Sequence, residues 1–253
     1  VLAAAQAAGY AETPPDLDID GIDTAHKATI LASLAYGEWF GMAPFHVEGI
    51  RGLSVVDIQH ARNLGYRIKL LAIVKQKGGN VQMRVHPALI PETSLLGHVN
   101  GVFNAVWLRG DTVGDTMYYG RGAGREATAS AVVGDIVDVG LNLKFGSHRR
   151  VPAFRPHVGY ENIVPMCDIM TRYYLRLQVR NRPGMLARIA GVLGERNIGI
   201  ASVAQEETPG ETASVVLLTQ RAREADMQAA LAAINQMDTV AEPPVMVRIE
   251  DLT

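Results

Sequence analysis

This chain has very little cysteine, no excess of basic residues and no long apolar run. Each of these features excludes a class of protein. Cys167 is the only cysteine among 253 residues, so an intrachain disulfide is excluded and a reducing, cytoplasmic location is expected. Lys and Arg total 24 against 26 for Asp and Glu, which gives no basic surface for nucleic acid. No apolar run reaches the roughly 18 residues of a membrane span. We therefore expect a globular protein with neither nucleic-acid nor membrane partners.

Metal ligands are also poorly represented. None of the seven histidines falls in a His-x3-His or His-Glu-x-x-His spacing, so no metal site is expected from them. Asp16, Asp18 and Asp20 precede Gly21 in the spacing that opens a calcium-binding loop. The closing position of such a loop would be Lys27, which cannot bind a cation. A solvated acidic loop that caps a helix is a simpler interpretation of the same residues.

A third interpretation gives these residues a chemical role. Lys27 lies on the same helical stripe as Ile30, Leu31 and Leu34, so we expect its stem to enter an apolar face. Its ammonium then needs an acidic partner, and Asp23 lies four residues earlier. A partly buried lysine beside a carboxylate is suited to donating or accepting a proton.

Hydrophobic periodicity divides the chain into two parts. The first part is predicted to hold helices over 23–36, 54–65 and 128–139, the last with one face buried, a hairpin of 66–76 with 81–86, and strands over 102–109 and 116–119. Residues 147–171 lose periodicity and are rich in proline, which indicates a linker. Beyond them, strands over 173–179, 198–204, 212–219 and 245–249 alternate with two helices, one opened by Pro183. This βαββαβ order is ferredoxin-like, so the fold class is α+β, with a mixed-sheet domain first.

The acidic segment carries a family resemblance. It is similar to the signature of homoserine dehydrogenases over a long motif: Ala5-x3-Gly9-Tyr10-Ala11-Glu12 and then Pro15-x2-Asp18-Ile19-x-Gly21-x-Asp23-x3-Lys27. The resemblance continues through residues 99–106 and 120–135. It implies that residues 1–146 form the catalytic and dimerisation domain.

The resemblance also implies roles for four side chains. Lys27 would be the catalytic acid/base and Asp23 would assist it, while Glu12 and Asp18 would hold the amino-acid substrate. The implied reaction interconverts L-homoserine and L-aspartate 4-semialdehyde with NAD(P)H, a step toward threonine and methionine.

A glycine loop precedes the third predicted helix. Gly122, Ala123 and Gly124 form a tight turn in the simpler interpretation, whereas the resemblance implies that they approach the cofactor. The 253 residues contain no G-x-G-x-x-G fingerprint between a strand and a helix. We therefore expect the cofactor to be bound mainly by a nucleotide-binding domain absent from this chain.

The second part, residues 172–253, resembles an ACT domain, a regulatory module that binds small molecules. Asn181 and Gly184 lie in the first strand-to-helix turn, where helix N–H groups can bind an effector carboxylate, although a simple turn is an equal alternative. Threonine is the effector that the resemblance implies. Its mode of binding would lack one contact, since Gly199 stands where some such domains have a second Asn.

Two functions follow from these patterns. The first is an NAD(P)-dependent homoserine dehydrogenase, of which this chain is a fragment. The alternative is a regulatory or assembly module that binds an amino acid without chemistry of its own. Long aliphatic strands with few charges at their edges indicate pairing between subunits, so a homodimer or homotetramer is expected.

Overall fold

The structure is a computed structural model that describes residues 2–7, 9, 13–42, 45–147, 155–156, 162–205 and 210–252. Its helices are α1 (Leu2–Ala7), α2 (Asp16–Ile19), α3 (Ile22–Tyr36), α4 (Val55–Asn63), α5 (Arg125–Phe145), α6 (Met185–Glu195) and α7 (Glu224–Asn235). Its strands are β1 (Glu38–Trp39), β2 (His46–Val47), β3 (Tyr66–Lys77), β4 (Asn80–Pro91), β5 (Phe103–Gly110), β6 (Gly114–Arg121), β7 (Arg155–Pro156), β8 (Met170–Arg180), β9 (Ile200–Gln205), β10 (Thr212–Thr219), β11 (Ala222–Arg223) and β12 (Val245–Ile249). Among the described helices, none combines the length and the apolar character that crossing a membrane requires.

One mixed sheet of eight strands runs through both parts of the chain. Its order is β2-β4-β12-β8-β10-β9, with β3 paired to β4 and β11 paired to β8. Strand β12 lies antiparallel to β8 and parallel to β4, where Arg248 pairs with Ala88. The last strand of the chain therefore joins the two parts into a continuous sheet, and the α+β class is confirmed.

The second part follows the predicted βαββαβ order. Its four long strands lie in the order β12-β8-β10-β9, and both helices cover one face with buried side chains that include Ile189, Leu193, Met227, Ala230 and Ile234. The prediction that Pro183 opens the first helix is wrong. The helix begins at Met185 after Gly184, whose φ of 85° is a left-handed conformation that glycine adopts without strain.

The first part packs α3 against β4. Ala25, Ala28 and Ala32 are buried and let the helix approach Val81, Met83 and Val85 closely. Ser54 and Asp57 form the predicted capping box at the start of α4. The hairpin of β3 and β4 turns at Gly78 and Gly79 as predicted, although both strands extend further than expected.

Helix α5 differs from its prediction in length and in environment. It runs from Arg125 to Phe145, not from 128 to 139, and none of its residues is buried by the described part of the chain. The predicted buried face is therefore wrong for this chain. Its large apolar side chains are between 48% and 72% exposed: Val132, Val133, Ile136, Val137, Val139, Leu141, Leu143 and Phe145.

Candidate active site

The predicted proton-transfer pair forms on the first two turns of α3. The Nζ atom of Lys27 lies 2.6 Å from Oδ2 of Asp23, as expected for residues one helical turn apart. The expected burial of Lys27 is wrong, since its side chain is 63% exposed and that of Asp23 is 43% exposed. The inward face of α3 carries small residues, and the stripe of Ile30, Leu31 and Leu34 points outward. Lys27 therefore shares an open apolar surface instead of a buried one.

The other two predicted substrate residues are placed differently. Asp18 is partly buried on the short helix α2, which a tight turn separates from α3. Gly21 makes that turn with a φ of 80°, and Val85 packs against it, since an added Cβ would lie 3.1 Å from Cγ1 of Val85. Glu12 lies outside the described residues.

A cation that the sequence did not single out binds the acidic segment. The guanidinium of Arg51 contacts Asp16 and also donates to Asp20, with Nε 2.5 Å from Oδ1. The hydrogen bond from Arg51 holds the pKa of the Asp20 carboxyl below its ordinary value. Asp16 and Asp20, one helical turn apart, therefore both face Arg51.

Segment 48–51, the four residues Glu48 to Arg51, braces the turn between α2 and α3. The amide of Ile50 donates to the carbonyl of Ile19 at 2.8 Å. Gly49 lies so close that an added Cβ would be 2.2 Å from the Ile19 oxygen. The backbone of this segment therefore fixes the turn that carries the candidate site.

The glycine loop lies at the end of the hairpin of β5 and β6. The amide of Gly122 donates to the carbonyl of Val102 at 3.3 Å, and the Asn104 side chain packs directly over Gly122, so an added Cβ would force the Asn104 amide to move. Gly124 precedes α5 with a φ of 111°. Backbone N–H groups at the N-terminus of this long helix, beside Arg121 and Arg125, suit an anionic group such as a phosphate.

The predicted effector residues line a cleft of about 220 Å³ in the second part. Besides Asn181 and Gly184, its lining includes Gln205 of β9 and Val215 of β10. The amide of Asn181 donates to the carbonyl of Glu211 at 2.8 Å, which fixes the backbone but leaves the exposed side chain available to the cleft.

A buried ionic cluster, which sequence reasoning missed, lies between the two parts. Arg248 of β12 is 2% exposed and donates to both carboxylate oxygens of Glu224, at 2.9 and 2.6 Å, and to Glu48 at 2.6 Å. Arg84 of β4 donates to Glu250 at 3.1 Å. The only sequence signal was a charged residue inside each of two apolar strands, because the partners are far apart along the chain.

Burial and charge oppose each other at Glu48. Burial alone would raise the pKa of its carboxyl, but the charge of Arg248 and its 2.6 Å hydrogen bond outweigh burial and lower the pKa to about 2. Glu48 is therefore a permanent anion at neutral pH, held against a permanent cation.

Comparison with known proteins identifies the family. The family model described as homoserine dehydrogenase matches residues 1–137. The chain belongs to the homoserine dehydrogenase family. A second model, the ACT domain, matches residues 173–238, in agreement with the expected ferredoxin-like unit of this homoserine dehydrogenase chain.

Individual relatives agree over the whole chain. It is 44% identical to the homoserine dehydrogenases of Neisseria gonorrhoeae and Pseudomonas aeruginosa, over 100% of this chain and 59% of each relative. A homoserine dehydrogenase structure from Thiobacillus denitrificans matches with a TM-score of 0.87 and 43% identity, over 100% of this chain and 58% of that one. The chain thus spans less than two thirds of the length of these relatives.

Proposed function

We propose that this chain supplies the catalytic and regulatory parts of an enzyme that interconverts L-homoserine and L-aspartate 4-semialdehyde. The observation that carries the proposal is the ion pair of Asp23 with Lys27 at 2.6 Å, in the positions of the family motif. Family membership implies a nicotinamide cofactor. The choice between NADH and NADPH stays open in this proposal.

The proposed chemistry divides between cofactor and protein. When bound, the nicotinamide supplies the hydride that reduces the aldehyde carbon. The protonated Lys27 donates its proton to the aldehyde oxygen, which becomes the hydroxyl of homoserine, and it accepts that proton in the reverse direction. Asp23 holds the ammonium in place through their 2.6 Å contact. Asp18, with Glu12, binds the polar groups of the amino acid.

The fit to the cofactor is partial. The loop of Gly122, Ala123 and Gly124 offers backbone N–H groups at a helix N-terminus, which suits a phosphate of the dinucleotide. The exposed apolar residues of α5 and the outer stripe of α3 offer a surface for further protein. We propose that a nucleotide-binding half outside this chain covers these surfaces and binds most of the cofactor.

The second part is proposed to bind an amino-acid effector, with threonine as the first candidate. The cleft beside Asn181 and Gly184 has a size suited to a small molecule. The free N–H groups at the start of α6 lie at its edge and can bind a carboxylate.

A homodimer or homotetramer is proposed for the assembly. Strand β9 forms one outer edge of the eight-stranded sheet, and residues 201–205 on it are exposed and uncharged. Within the described residues no strand pairs with that edge, so its backbone N–H and C=O groups can pair with a strand of another subunit. Light scattering of the chain at micromolar concentration tests this, and a monomer would contradict it.

Replacing Lys27 by alanine tests the proposed chemistry. In a full-length protein that joins this chain to a nucleotide-binding half, Lys27→Ala should lower kcat by roughly 10² or more, because the proton donor is lost. Asp23→Asn should act in the same direction but more mildly. Lys77→Ala, an exposed lysine at the far end of β3, serves as the control and should leave kcat unchanged. A Lys27 variant with near-wild-type kcat would refute the assignment.

A further inference from the structure

The contact of Arg248 with Glu48 connects the ACT part to the candidate active site. Arg248 lies on β12 and binds Glu224, the first residue of α7, through two hydrogen bonds. Its remaining terminal nitrogen donates to Glu48 at 2.6 Å. One guanidinium therefore ties a helix of the ACT part to a loop of the catalytic part.

The same guanidinium is held rigidly. Glu224 also accepts hydrogen bonds from the Tyr173 hydroxyl at 3.0 Å and from Gln228 at 2.8 Å. The Arg248 and Glu224 side chains are 2% and 4% exposed. Separating a buried ion pair leaves each charge unpaired in a poorly solvated environment, which is strongly destabilising. Arg248 therefore cannot move away from Glu224 without a cost in free energy. Its position is set by the ACT part.

Glu48 connects Arg248 to the candidate site. Its own amide donates to the carbonyl of Val85 at 2.8 Å, and the next residues, Gly49 and Ile50, contact Ile19 directly. Ile19 ends α2, which bears Asp18, and the turn after it begins α3, which bears Asp23 and Lys27. The path from Arg248 to this turn passes through one side chain and one short backbone segment.

We propose that Arg248 and Glu48 are positioning residues, which hold segment 48–51 against the turn between α2 and α3 and thereby set the placement of Asp18, Asp23 and Lys27. The proposal rests on the function proposed above. It links the docking of the ACT part to the placement of the substrate site. Neither residue belongs to the proposed substrate site, so the effect acts through the position of the turn.

Glu48→Gln is the test variant, because the Glu48 side chain is 39% exposed and the amide keeps the size of the carboxylate. Glu92→Gln is the matched control. Glu92 is 37% exposed and pairs with Arg67, but it follows the end of β4, seven residues beyond Val85, to which the Glu48 amide donates. A second test variant, Gly49→Ala, must push segment 48–51 away from Ile19 without changing any charge.

Two readouts separate positioning from stability. Amide hydrogen exchange over residues 16–27 of this chain should be faster in Glu48→Gln and Gly49→Ala but unchanged in Glu92→Gln. In the full-length enzyme, kcat/KM for homoserine should fall by about threefold to thirtyfold in both test variants, through a higher KM as well as a lower kcat. Partial unfolding would lower the apparent kcat and leave KM unchanged.

The outcomes distinguish this inference from the proposed function. Unchanged exchange over residues 16–27 in both test variants, or an unchanged KM in them, would overturn the inference while leaving the Lys27 assignment intact. If Lys27→Ala retained activity but exchange still increased, the proposed chemistry would fail and the structural coupling would stand. Equal effects of Glu48→Gln and Glu92→Gln would also overturn the inference.

Discussion

The ion pair of Asp57 with Arg176 gives a sharp stability prediction. Asp57 is fully buried at the start of α4, and it accepts from Nε of Arg176 on β8 at 2.6 Å and from the Tyr174 hydroxyl at 3.3 Å. The same carboxylate accepts from the Ser54 amide at 3.0 Å and completes the capping box. Asp57→Asn keeps the size and part of the capping while removing the charge that Arg176 binds.

The expected cost follows from burial. Breaking a buried ion pair by removing one partner costs about 3–5 kcal/mol, and Arg176 retains 15% exposure, so we expect about 3 kcal/mol. For a chain of this length that loss lowers Tm by about 6–12 °C. Asp115→Asn is the control, because Asp115 and Arg109 are each 48% exposed and the attraction of such a surface pair is largely screened by water.

The effect also has a defined pH dependence. Burial would raise the pKa of Asp57, but the hydrogen bonds from Arg176 and Ser54 outweigh it and hold the pKa below its ordinary value. The stability that the carboxylate contributes is therefore present above the unfolded pKa of about 3.9 and is lost as pH falls through the folded value. Calorimetry and urea unfolding at pH 7 measure the loss. An Asp57→Asn variant no less stable than Asp115→Asn would refute the reasoning.

Three further predictions concern pH, cofactor and effector. His86 is 1% exposed, and burial and the charge of Arg248 lower its pKa to about 3. The free energy of unfolding should therefore fall as pH drops from about 6.5 toward 3, by up to about 1.4 kcal/mol per pH unit. Urea unfolding of His86→Gln should show a weaker dependence of this free energy on pH. An equal dependence in the two proteins would contradict the prediction. The isolated chain should show no micromolar NADPH binding by calorimetry, whereas such binding would make the loop of Gly122 a nucleotide site in its own right. Millimolar threonine should raise the Tm of the chain, and Asn181→Ala should abolish the rise; no rise in the unaltered chain would leave the ACT part an assembly module only.

Local signals predicted the ACT part well. Strands 212–219 and 245–249 are apolar runs bounded by turn residues, and the structure has them at the same residues. Met227, Ala230 and Ile234 are buried on one face of α7, as their helical spacing predicted. Both signals depend only on neighbouring residues, which is why they could be recognised in the sequence.

The orientation of α3 shows where such signals fail. Hydrophobicity placed Ile30, Leu31 and Leu34 inward, yet the helix packs its small residues Ala28 and Ala32 against the sheet. Small side chains permit a close approach of helix and sheet, which increases the van der Waals contact between them. The pattern of hydrophobic residues in the sequence does not reveal this contribution. The larger residues on the outside, like those of α5, then require a partner that the described residues do not provide.

The shared sheet changes what can be learned from either part alone. Strand β12 lies between β4 and β8, so cutting the chain near residue 172 removes the strand that pairs with Ala88 and Leu89 of β4. The same cut removes an anionic partner and a cationic partner from the first part. Arg84 loses Glu250, and Glu48 loses Arg248. Unpaired charges in a partly dry environment cost more than the pairs contribute. Threonine binding and catalysis are therefore properties to measure in the joined chain, because separating the parts would perturb the site that each measurement is meant to report.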